Sequence, residues 1–137
     1  MRSPLAALAI GLLLVACTPT PPPETMSLPP TAQRSGAGDP TRGAILASSY
    51  SFGTPSVLAG NPVAAAEALG QLEYLTVELG SGGAWRDINP LVSVQLRQAR
   101  EEARQQLGFR ADASPQVAVD SLYGAAAALR QGSSGRW

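Results

Sequence analysis

Histidine and lysine are both absent from this 137-residue chain, and cysteine occurs once. Without histidine the chain lacks the commonest general base and the commonest metal ligand. Without lysine there is no amine to form a Schiff base. Ser/His/Asp and Cys/His catalytic arrangements are therefore excluded, and the residues point to no metal and no cofactor. Aromatic residues make up only 5% of the chain, and many core candidates are alanine, so each helix face buries little area. Neither charge sign dominates, with 10 basic and 10 acidic side chains, every basic one an arginine. Near neutrality argues against nucleic-acid binding, which needs a basic footprint, and supplies no steering field for an acidic partner.

Long apolar runs are also missing, with one exception. Arg2 is followed by an apolar stretch from Leu5 to Val15, broken only by Gly11. At about eleven residues it is short of the roughly 20 that span a bilayer, and a positive N-terminus before it reads as a secretory signal. The run stops at Cys17, the single cysteine, and gives way to proline. Leu14-Val15-Ala16-Cys17 resembles the lipobox of bacterial lipoproteins: a branched apolar residue, a tolerated position, a small residue, then cysteine. That resemblance covers about seventeen residues. It implies a leader over residues 1–16, cleavage before Cys17 and a diacylglycerol on its thiol, which leaves no thiol for chemistry or a disulfide. Several acyl chains, at roughly 0.8 kcal/mol per buried CH₂, anchor stably where one does not. In proteobacterial lipoproteins, aspartate after the cysteine favours inner-membrane retention. Thr18 stands there, so the resemblance implies a periplasm-facing protein of the outer membrane.

Residues 17–38 read as a lipidated cysteine and a disordered linker. Between Thr18 and Gly38 six of 21 residues are proline, and only Met26 and Leu28 are sizeable apolar groups. Such a segment cannot offset its ordering entropy and is expected to stay extended. In polyproline II form, at about 3.1 Å per residue, it reaches roughly 60 Å. Residues 39–132 suffice for one domain, and 133–137 read as a flexible tail whose Trp137 is idle.

The domain is punctuated regularly. Asp39-Pro40, Asn61-Pro62, Asn89-Pro90 and Ser114-Pro115 each place a side-chain cap before a proline, the signature of a helix start. Gly53, Gly80, Gly108 and Gly132 stand where helix stops are expected. Thr54-Pro55 opens a further short turn ending at Gly60. Val92, Leu96, Ala99, Ala103 and Leu107 form one apolar stripe at helical spacing. Ala65, Ala68, Leu69, Leu72, Leu75, Thr76 and Leu79 form a broader face, and Ala118, Leu122, Ala125, Ala126 and Leu129 a face of smaller residues. The segment from Pro40 to Phe52 carries Gly43 and three serines and reads as weaker. The expected fold is all-α: a small bundle of three strong helices plus one or two weaker N-terminal ones, behind the Pro-rich tether.

Few residues invite a functional reading. Glu67, Glu73, Glu78, Glu101 and Glu102 fall on expected helix surfaces, as solvated faces rather than the paired acids of a glycosidase. Gly80-Ser81-Gly82-Gly83 lacks the Lys-Ser/Thr and the strand of a phosphate loop. Arg97, Arg100 and Arg104 share the flank opposite the apolar stripe of the third helix. They form either a mixed solvated face or a docking surface for an anionic envelope partner. Trp85-Arg86 lie in the connector Ser81–Ile88, where the ring either packs over a helical hairpin or meets a partner. The expected function is a non-enzymatic, lipid-anchored envelope protein, held to the membrane through Cys17, whose helical module binds another envelope component. The alternative is a small-ligand or lipid-binding module with a pocket between its alanine-lined helices.

Overall fold

The computed structural model describes residues 25–33 and 38–134. They hold four α-helices: α1 (Pro40–Gly53), α2 (Pro62–Glu78), α3 (Pro90–Leu107) and α4 (Pro115–Ser134). Two short 3-10 turns, Pro30–Ala32 and Pro55–Val57, complete the regular structure, and no strand occurs among the described residues. The protein is an all-α bundle, and no described helix is long and apolar enough to cross a membrane.

Each helix begins where its cap residue predicts. Asp39 Oδ1 accepts from the Thr41 amide at 2.8 Å, Asn61 Oδ1 from Ala64 at 3.1 Å and Asn89 Oδ1 from Leu91 at 2.9 Å. Ser114 Oγ accepts from the Val117 amide at 3.3 Å. The proline after each cap has no N–H to leave unsatisfied. The stops follow less uniformly. Gly108 takes the left-handed C-cap of α3 at φ 68°, whereas α4 continues through Gly132 to Ser134.

α2 is the axis of the molecule. Every residue from Gly70 to Val77 is buried, the mark of a helix covered on all sides. α1, α3 and α4 pack against it, and all three run opposite to it. Thr41 of α1 meets Tyr74, while Ala47 and Tyr50 share a cleft with Ala64 and Ala68. Ser93 of α3 donates to the Leu79 carbonyl, and Arg104 reaches Glu73. Tyr123 of α4 lies on Gly70, and Arg130 pairs with Glu67. The central core joins Ala44, Tyr74, Leu75, Leu79, Val119 and Tyr123.

Two expectations need correction. The segment 25–33 is not a free tether, because it lies across the bundle as a strap. Leu28 is 4% exposed within the core, and Met26 and Ala32 pack beside it. Gln116 clamps the strap twice, accepting from the Ser27 amide at 2.9 Å and donating to the Ser27 carbonyl at 3.1 Å. The packed unit therefore includes Met26, Leu28 and Ala32, ahead of Asp39. The apolar stripe of α3 is also rotated. Val92, Ser93, Leu96, Arg100, Ala103 and Arg104 are its half-buried positions, while Ala99 and Leu107 face outward.

Candidate functional site

The rotation of α3 follows from the charge on α2. Glu73 sits in the fully enclosed stretch, with its side chain 5% exposed. A buried carboxylate needs a hydrogen-bonded counter-charge, and Arg104 supplies it in a fork. Arg104 Nε donates to Glu73 Oε1 at 2.6 Å and Nη2 to Oε2 at 2.8 Å. Arg104 Nη1 donates to the Ala113 carbonyl at 2.9 Å, tying in the loop before α4. Glu73 thus lies inside the bundle rather than on a solvated surface. Arg104 faces it from the inward side of α3 rather than the flank opposite the stripe. Of the three arginines grouped in the sequence, Arg97 is exposed, Arg100 is half-buried and Arg104 is committed to this internal pair. Arg100 and Arg104 border a polar hollow of about 610 Å³ with Glu101, Asp112, Ser114 and Gln116. At its rim Arg110 forks onto Asp112, and this partner holds the Asp112 carboxyl below its ordinary range.

Trp85 folds back against the bundle: its ring is half-buried and packs on the core together with Ile88, while Arg86 is exposed. The pairings of α2 with α3 make the expected antiparallel hairpin, and Trp85 closes its end. Cys17 lies outside the described residues.

At that same end, burial and the nearby Asp39 carboxylate both raise the Glu78 carboxyl above its ordinary value. Tyr74 Oη lies 3.1 Å from Thr41 Oγ1. Burial raises the tyrosine hydroxyl, the Thr41 hydrogen bond opposes the rise, and Glu78 and Asp39 add to it. No group of three metal-ligating acids, cysteines or histidines assembles among the described residues.

Two concave features stand on opposite flanks of α1. An apolar groove of about 290 Å³ runs between α1 and α3, lined by Phe52, Val92, Leu96 and Ala99 over a floor of Leu72, with Gln95 as its polar edge. Phe52 remains 44% exposed there, and Leu46, Leu91 and Val94 also face outward on the two helices. A cleft of about 500 Å³ opens between α1, α2 and α4, with Thr31 and Ala32 of the strap at its edge. Gln71 and Tyr123 line it, and the Glu67–Arg130 pair stands beside it. The Gln71 side chain is buried and its Oε1 has no hydrogen-bond partner.

Sequence reasoning missed Phe52 and Gln71. Phe52 closes a helix whose serines and glycine made it look weak. Gln71, like Glu73 and Thr76, is a polar residue inside the broad apolar face of α2, a signal that could have been followed. Comparisons of the chain with family models, curated proteins and solved structures return no match.

Proposed function

We propose that this is a non-enzymatic, lipid-anchored protein of the bacterial envelope whose helical domain docks another envelope protein. The observation that carries the docking is the groove between α1 and α3. Phe52, Val92 and Leu96 leave an apolar channel open over Leu72, and Leu46, Leu91 and Val94 add exposed aliphatic groups on the same helices. Apolar side chains grouped at a surface mark interaction sites more often than single exposed ones do. A channel between two helices suits an amphipathic helix of the partner, which inserts apolar anchors one turn apart. The anchor rests on the lipobox, with acylation at Cys17, a periplasm-facing domain and delivery to the outer membrane in keeping with Thr18. Catalysis is set aside on the chain's lack of histidine and lysine.

A photo-crosslinker at Gln95, on the edge of the groove, tests the docking in cells. Capture of one envelope protein, lost on Phe52→Glu, supports it. Capture of a second copy of this chain makes the groove a self-association surface, and no capture rejects the reading. Cys17→Ser tests the anchor separately: a protein still processed at the same point and still in the membrane fraction overturns it.

A further inference from the structure

The cleft on the other flank of α1 carries an inference that goes beyond the docking groove. Its floor contains a buried acceptor with nothing to accept. Gln71 is 7% exposed, faces the cleft, and its Oε1 has no partner. Folded proteins satisfy nearly all such atoms, because an unmatched buried acceptor destabilises the fold. A methionine of similar length would fill the same space with no polar atom to satisfy. The amide is therefore better explained by something that enters the cleft than by the packing of α2.

The rest of the lining narrows the class of ligand. Among the described residues that line the cleft, the charged ones are Glu67 and Arg130, and they are paired with each other. No charge is left over to select an anion or a cation. Tyr50, 61% exposed, lines the cleft, and Ser51 and Asn61 contribute short polar groups. Aromatic surface beside scattered neutral donors and acceptors suits a molecule with an apolar C–H face and hydroxyls around its edge. The volume of about 500 Å³ falls within the range of small-molecule sites, roughly 300–1,000 Å³.

We propose that this cleft binds a neutral sugar of one or two rings, with the Gln71 side chain turning its amide into the cleft so that a hydroxyl or acetamido N–H donates to Oε1, and with a ring face resting on Tyr50. The strap forms one edge of the cleft through Thr31 and Ala32, so a bound sugar touches the segment that leads toward Cys17.

The test uses the full-length chain in a detergent without a sugar headgroup, followed by amide NMR. Glucose, N-acetylglucosamine, maltose and chitobiose are titrated in turn, with trialanine as a peptide control. The expected result is saturable shifts around Gln71 and Tyr123 with at least one sugar. Gln71→Met should weaken that binding about ten-fold or more, the loss of one well-placed hydrogen bond, with an unchanged or higher melting temperature. Tyr50→Ala, at an exposed position, should weaken it without unfolding the bundle. Absence of saturable sugar binding overturns the proposal, as does binding that ignores Gln71→Met. Binding of trialanine but of no sugar also overturns it and makes the cleft a peptide site. A marked fall in melting temperature for Gln71→Met rejects the premise, since the amide would then be serving the fold.

Discussion

Gly70 of α2 lies directly against the Tyr123 ring of α4: a methyl group built on Gly70 would lie 2.7 Å from Cε2 of that ring. The ring forms part of the central core and also borders the cleft, so any shift away from Gly70 gives up core contacts. Gly70→Ala should destabilise the protein by about 1–3 kcal/mol through overpacking, even though alanine in a helix interior is favoured by about 1 kcal/mol. Gly124 is the control. It lies within α4 with nothing within 4 Å of an added methyl, so Gly124→Ala should raise stability by up to about 1 kcal/mol. Denaturant unfolding of the two variants measures both signs.

The Glu73–Arg104 fork predicts a non-additive pair. Removing one partner strands a buried charge, so Glu73→Gln or Arg104→Met should each cost about 3–5 kcal/mol. Replacing both with apolar residues of similar volume should recover most of that loss. A double-mutant cycle by thermal or urea unfolding reads the coupling. Additive losses would mean that the two side chains act independently.

Glu78 predicts a pH dependence of definite sign. Its carboxyl titrates above the ordinary glutamate value in the folded chain, first through burial and then through Asp39. The folded state therefore holds this proton more tightly than the unfolded state does. Its contribution to stability is complete below the ordinary glutamate range and is lost as pH rises through the raised folded value. Glu78→Gln should flatten this part of the profile and raise the melting temperature at neutral pH. Melting curves from mildly acidic to neutral conditions, wild type beside variant, check the difference.

The strap predicts where the cooperative unit begins. Leu28 is 4% exposed, so Leu28→Ala should cost about 2–5 kcal/mol. A chain starting at Gly38 should melt well below one starting at Thr25. Equal melting temperatures would make the strap an ornament on the bundle.

The helix starts were legible because caps are local. Asp39, Asn61, Asn89 and Ser114 act on amides two or three residues away, and no tertiary information is needed to see that. The stops were less so. A left-handed turn at a glycine stops a helix, as at Gly108, and at Gly132 the chain takes none. The roles of Leu28, Glu73 and Arg104 were hidden for a common reason. Each depends on a neighbour distant in sequence: Leu28 on helices that follow it, Glu73 on a residue 31 positions away. The stripe on α3 was read from its apolar residues alone, while the charge on α2 set its rotation. The groove and the cleft are gaps between elements, and no periodicity within one element marks them.

The docked strap also sets the length of the leash. With the lipid on Cys17 as proposed, nine residue steps separate the anchor from Met26, which packs on the core. At about 3.1 Å per residue that is roughly 28 Å, less than half the reach of the whole linker. On that proposal, a domain held this close would search a thin layer beside the membrane, and its effective concentration toward membrane-bound partners would rise accordingly. Undocking of Leu28 would return the remaining length to the linker and let the same domain reach a target farther from the bilayer.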